Sequence, residues 1–154
     1  MSAFIANTPT PVEPDITNFE FYPAVSVTRF REAVRLNDSI TPSRAKHALT
    51  NAIIEVNSDL ALWARTQREN GYPTLDDVPA EEVGGTSINL GLYERAVFNY
   101  AKADLTEQYR DYDSTLTGSQ RADELDETVG HYRRNALIAI RAIIGAQRTT
   151  VELI

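Results

Sequence analysis

The sequence predicts an all-α protein: a small helical bundle built on one long helix, with an extended arm at each end. Three observations carry this reading. The stretch Thr86–Asp113 is apolar almost all the way round at helical spacing. Two further long stretches carry a single apolar stripe in steps of three and four residues. Prolines and glycines gather between these stretches and in the first 25 residues.

A helix over 86–113 would be about 42 Å long. Ile88, Leu92, Tyr93, Ala96, Tyr100 and Ala103 fall on one side of it, and Val97, Phe98, Ala101 and Leu105 cover most of the other. A surface helix has one apolar stripe, so apolar residues on both sides imply packing on both sides. This helix is the expected central rod.

The other elements follow in chain order. Residues 1–25 hold four of the seven prolines, three acids and no Lys or Arg, which predicts a flexible N-terminal arm. Fully stretched it would reach roughly 80 Å. Phe19, Phe21 and Tyr22 cluster within it, and two uses fit them: anchoring the arm on the protein's own core, the commoner case for aromatic rings, or contacting a partner. Ser26 caps a short helix near 26–37 with Val27, Phe30 and Val34 on one side. Thr41 followed by Pro42 starts a helix over 42–70. Its stripe is Ala45, Leu49, Ala52, Ile53, Val56, Leu60 and Trp63, with Gly71 as its stop and a kink near Asn57–Ser58 left open. Residues 71–85 form a loop with Pro73, Pro79, Gly84 and Gly85, pinned by Leu75, Val78 and Val83. After the central helix, residues 114–118 break the pattern. A last helix over 119–145 carries Leu125, Val129, Tyr132, Ala136, Ala139, Ile140 and Ile143, with acids in its first half and arginines in its second. Gly130 costs about 1 kcal/mol there relative to Ala, and a close helix crossing would account for it. The domain is therefore expected over 26–145, followed by a tail over 146–154. The β-branched, alternating segment 149–154 is expected to add to a sheet edge or lie in a groove on another chain.

Composition bounds the function. The 154 residues suit one domain with a real core, and 42% hydrophobic with 24% charged residues is ordinary for a soluble protein. The chain has no cysteine, which removes disulfides and thiolate metal sites. Met1–Asn7 lacks the basic start and apolar run of a signal peptide. The apolar run 136–140 stops at Arg141, too short for a membrane span. A net charge of −7 argues against gripping nucleic acid over a broad face.

Catalytic and metal-binding constellations are not found. Glu127 and His131 share a helical face, but a di-metal bundle site needs a Glu-x-x-His from each of two helices and further Glu residues. His47 lies near Arg44 and Lys46 with no acid partner. Asp76, Asp77, Glu81 and Glu82 lack the ligand order of a calcium loop. Gly84–Gly85 is not followed by the Lys-Ser/Thr of a phosphate loop, and Thr86 and Ser87 have no base beside them. Tyr100, Tyr109 and Tyr112 could stack bases, but on a central helix they read as core and interface rings. The expectation is no enzyme, no cofactor and no metal.

In order along the chain stand FEFYPAVSVTRFREAVRL, ITPSRAKHALTNAIIEVNSDL, LDDVPAEEVGGTSI, LYERAV, ADELDETV and RNALIAIRAIIG. Through these pieces residues 18–154 resemble the head-completion proteins of temperate contractile-tailed bacteriophages; residues 1–17 lie outside the resemblance. It implies an assembly role in the virion: a ring, by family expectation a dodecamer, added to the portal at the capsid vertex after DNA packaging. Its implied partners are the portal protein, a tail-side neck or tail terminator protein, and packaged DNA only as a strand passing through the channel. Its implied place is the head–tail neck, reached from the host cytoplasm. On this reading Arg148, Val151, Leu153 and Ile154 are the candidate portal contacts, and Tyr109 and Tyr112 the candidate subunit–subunit contacts. The alternative is a cellular helical-bundle adaptor using the same arms on another partner.

Overall fold

The computed structural model describes residues 13–36, 39–112 and 118–145, with side chains included except at 109–112 and 118–127. The described residues form α1 (Val27–Ala33), α2 (Pro42–Asp59), α3 (Ala61–Glu69), a hairpin of β1 (Glu82–Val83) and β2 (Thr86–Ser87), α4 (Ile88–Tyr112) and α5 (Gly118–Ile144).

α4 is the rod on which the other elements pack. Tyr93, Ala96, Val97, Phe98, Tyr100, Ala101, Ala103 and Leu105 are all buried, so its flanks are covered on more than one side. α5 covers one flank and α2 another. Phe30 of α1 adds a ring against Phe98, centroids 5.2 Å apart. α4 and α5 are joined by residues 113–117, a connection that makes neighbouring helices antiparallel. The Arg133–Glu107 ion pair, 2.6 Å, sets their register. That pair is half exposed on both sides and contributes little to stability.

Two caps form as the sequence suggests. Ser26 Oγ accepts from Arg29 N–H, and Thr41 Oγ1 accepts from Arg44 N–H, both at 3.4 Å. α1 nevertheless ends at Ala33 rather than near residue 37. Arg35 adopts a left-handed φ of 48°, and Leu36 N–H reaches back to Arg31 C=O at 3.0 Å, which closes the last turn.

The helix expected over 42–70 is two helices, and the bend lies at Leu60 rather than at Asn57–Ser58. There is no proline or glycine at this point. Leu60 is fully buried, and the bonds Leu60 N–H to Val56 C=O and Ala64 N–H to Leu60 C=O carry the ladder across. The bend is thus set by packing, because α3 turns aside to bring Trp63 edge-on to Phe21, centroids 6.1 Å apart. Gly71, φ +95°, stops α3.

Thr86 and Ser87 belong to a hairpin and not to the central helix. Gly84 and Gly85 both take positive φ, 61° and 76°, as a two-residue type I′ turn requires, and this pairs Glu82 with Ser87 and Val83 with Thr86. Ser87 Oγ then accepts from Asn89 N–H at 3.3 Å, and α4 starts one residue after Ser87. Leu75 and Val78 pin the preceding loop as expected, whereas Val83, 74% exposed, does not.

Gly130 lies at no close crossing: a Cβ built there meets nothing within 4 Å. Gly130→Ala is therefore expected to raise unfolding stability by about 1 kcal/mol through helix propensity alone, read as a higher melting temperature. A loss of stability would restore the crossing.

Candidate functional site

Residues 16–25, expected within a flexible arm, fold back as a lateral brace across the bundle. Ile16 and Val25 exchange both backbone hydrogen bonds, at 2.8 and 3.0 Å, which closes the segment between them into a loop. Phe21 and Tyr22, at the tip of that loop, are buried. Phe21 packs edge-on against Trp63 and lies under the Arg68 guanidinium, 5.9 Å from the ring centroid. Tyr22 stacks on Tyr93 of α4, centroids 4.9 Å apart and planes at 13°. The loop over 71–81 closes the other side, with Leu75 N–H donating to Phe21 C=O at 2.8 Å. Phe19 stands apart from its two neighbours, 67% exposed.

A polar network locks the brace to two helices. Asn18 Nδ2 donates to Pro23 C=O (2.9 Å) and to Tyr93 Oη (2.8 Å). Asn57 Nδ2 of α2 donates to Asn18 Oδ1 (2.9 Å), and Tyr93 Oη donates to Asn57 Oδ1 (2.7 Å). Asn18 Oδ1 also accepts from Phe19 N–H at 2.8 Å. Three residues separated by 75 positions thus form a ring of bonds around one buried phenol. Sequence reasoning did not find this. The signal was Asn57, a polar residue directly beside Val56 in the stripe of α2, and Asn18 directly before the aromatic cluster.

Burial shapes the ionisation of these rings. Tyr22, whose hydroxyl is buried with no hydrogen-bond partner, is pushed up to about 12, with Arg68 pulling slightly the other way. Burial pushes Tyr93 higher still, opposed by its bond with Asn18 and reinforced by Tyr22. Tyr100 rises to about 12 through burial first, then through Asp59 and Glu55 nearby. Lys102 is lowered by burial.

Between the brace and the first half of α4 lies a cleft of about 570 Å³, lined among others by Asp15, Arg29, Leu90, Arg95 and Phe98. Arg29 and Glu94 pair across it at 3.0 Å. His131 Nε2 lies 3.0 Å from Asn135 Nδ2, edge-on to Tyr132, and His47 Nε2 lies 3.3 Å from Asn51 Nδ2. The Glu127 side chain lies outside the described residues. Among the described residues no three His, Cys, Asp or Glu gather as a metal site, and no helix is long and apolar enough to cross a membrane.

Of the candidate residues, the structure brings together Phe21 and Tyr22. Tyr109 and Tyr112 lie in the last turns of α4 with side chains outside those described, and Arg148, Val151, Leu153 and Ile154 lie outside the described residues altogether. On the described surface Ile54, Leu62, Val83, Leu137 and Ile144 are exposed along with Phe19. Apolar side chains exposed singly are ordinary on a protein surface and point to no chemistry.

Comparison with known proteins points the same way. The chain is 35% identical over 142 residues to the head completion/stabilization protein of Escherichia phage P2, spanning 92% of this chain and 84% of that one. It is 28% identical over 141 residues to the probable head completion/stabilization protein of Haemophilus phage HP1 (strain HP1c1), spanning 90% and 91% respectively. No solved structure matches it significantly. The phage head completion protein (GPL) family pattern runs from residue 16, the first residue of the brace, to residue 154. With all the described elements inside that match, the chain belongs to the phage head completion protein (GPL) family.

Proposed function

We propose that this protein is a structural component of the virion that completes the head: it forms a ring, by family expectation dodecameric, on the portal at the capsid vertex after DNA packaging, and presents the platform for the tail. The observation that carries this is the family match over the entire body, from brace to C-terminus. Exposed apolar side chains such as Phe19, Ile54 and Leu62 are in keeping with an assembly role. The proposed partners are the portal protein and a tail-side neck or tail terminator protein, in the neck of the virion and, during assembly, in the host cytoplasm. DNA passes without being gripped, in keeping with a net charge of −7.

In this proposal Val151, Leu153 and Ile154 insert into grooves of the portal and Arg148 meets an acidic partner. Tyr109 and Tyr112 touch the neighbouring subunit, and exposed Phe19 faces a partner. Repeating a modest tail contact around a symmetric ring gives firm attachment. Deleting residues 146–154 is expected to abolish co-sedimentation with portal-bearing heads while leaving the circular dichroism spectrum unchanged. A truncated protein that still joins the heads removes the tail assignment. A full-length protein that fails to join them, or electron micrographs placing it away from the portal vertex, removes the portal reading itself.

A further inference from the structure

α5 packs on α4, and no other element covers it to a comparable extent among the described residues. Its outer face therefore has no partner element among the described residues. That face carries Leu137 and Ile144, 41% and 42% exposed, one heptad apart and so on the same side. Around them stand Arg133, Arg134 and Arg141. Residues 128–145 contain no acid, in a chain whose net charge is −7. Arg134 and Arg141 form no ion pair among the described residues, whereas Arg133 is held by Glu107. The outer face is apolar and cationic.

Its complement stands on the same molecule. From residue 69 to residue 94 the chain holds Glu69, Asp76, Asp77, Glu81, Glu82 and Glu94, with no Lys or Arg. The hairpin of β1 and β2 displays the middle of this run, with Val83 exposed beside Glu81 and Glu82 at the Gly84–Gly85 turn. The two-residue I′ turn places Val83 at the tip of the hairpin, next to the two glutamates.

The two patches lie on different sides of α4 but near the same end of it. The loop leading to the hairpin is tied to Phe21, on the side of α2 and α3, while α5 occupies another flank. From the Arg133–Glu107 pair, the antiparallel register sets Ile144 level with Ala96, on the order of 12 Å along the axis from the start of α4 where the hairpin stands. Neither patch complements itself, since one is cationic throughout and the other anionic throughout. A two-fold contact centred on either patch would set like charge on like. Complementary patches on different sides make a head-to-tail contact, which closes into a ring when the rotation between copies allows it.

We infer that the occupant of the α5 outer face is a second copy of this chain: the Glu81–Glu82–Val83 hairpin of one subunit docks on Leu137, Arg141 and Ile144 of the next. That the repeat closes around the portal rests on the proposed function above; the pairing of the two patches does not.

The natural chain has no cysteine, so thiols placed at the two patches report only on each other. The experiment uses full-length protein carrying Val83→Cys, Leu137→Cys or both, bound to portal-bearing heads and also free at high concentration, under mild oxidation. Both sites are exposed, and circular dichroism confirms folding. The double variant is expected to give a ladder of covalent oligomers on denaturing gels, and each single variant is expected to stay monomeric. Adding Arg141→Glu to the double variant is expected to remove the ladder, and adding Glu82→Arg as well is expected to restore it. Disulfide dimers from either single variant would show a two-fold contact and overturn the inference. So would thiols consumed within the monomer, or head-bound protein that gives no ladder. A ladder in free protein that does not bind portal-bearing heads would keep the contact and reject the portal reading.

Discussion

Asn57→Ala is expected to lower the unfolding free energy by about 3 kcal/mol, from an orphaned buried donor at about 1–3 kcal/mol plus the cavity left behind. Asn57 is only 4% exposed, and its amide both receives the Tyr93 proton and donates to Asn18. In the variant Asn18 still reaches Tyr93 Oη and Pro23 C=O, so the Tyr93 proton is the group left without an acceptor. Adding Tyr93→Phe removes that orphan. The double variant should therefore recover part of the loss, with a coupling of about 1–3 kcal/mol in a urea-denaturation cycle. Losses that simply add would mean that the three residues are neighbours and not a network. In a domain whose total stability is of the order of 5–15 kcal/mol, the single change is expected to depress the melting temperature by about 10 °C and to loosen the brace first.

The second large effect is alkaline unfolding. Tyrosine in an unfolded chain ionises near pH 10. In the folded protein Tyr22 and Tyr100 are pushed up to about 12, and Tyr93 beyond them. Below pH 10 all three are protonated in both states and stability does not depend on them. Above it the unfolded chain has released protons that the folded chain keeps, so stability falls as pH rises from 10 through the folded values. Each tyrosine contributes about 1 kcal/mol between pH 10 and 11, or about 3 kcal/mol for the three. Urea titrations at pH 8, 10 and 11, with tyrosinate absorbance as a second probe, measure this slope. Tyr22→Phe should remove about a third of it. At neutral pH the same variant should gain about 1 kcal/mol, because the hydroxyl it deletes is buried without a hydrogen bond. Tyrosines that ionise near pH 10 with the fold intact would show that these rings are wet.

What was legible in the sequence is what periodicity encodes. The apolar residues on both sides of Tyr93–Leu105 place α4 at the centre, and the Thr41–Pro42 start and the Gly71 stop mark real helix ends. What escaped depends on contacts between distant residues. Nothing local at Leu60 breaks a helix; the bend exists because Trp63 turns toward Phe21. Proline content and acidity made residues 16–25 read as an arm, yet two rings and one asparagine suffice to fix a short segment once a pocket exists for them. The hairpin was concealed by its size: two residues per strand give no alternation to detect, and Thr86–Ser87 looked like a helix start. The proposed docking face is harder still: Leu137 and Ile144 fall outside the stripe of the last helix, and their exposure is known only once the neighbours of α5 are. The tail contacts at Arg148, Val151, Leu153 and Ile154 rest on chemistry and resemblance alone.

The one-sided seating of α5 has a consequence for how the subunit breathes. α2 and the brace are cross-tied to α4 through Asn18, Asn57 and Tyr93, so these three open together. α5 has α4 as its main support and can swing away as a sub-global unit at a lower free energy than full unfolding, which amide exchange would register as faster protons along residues 128–144. A copy seated on its outer face would turn this leaf into the middle layer of three. A helix held on one side in the free subunit would then be held on two in the assembly, and the energy of joining would appear as slowed exchange along it.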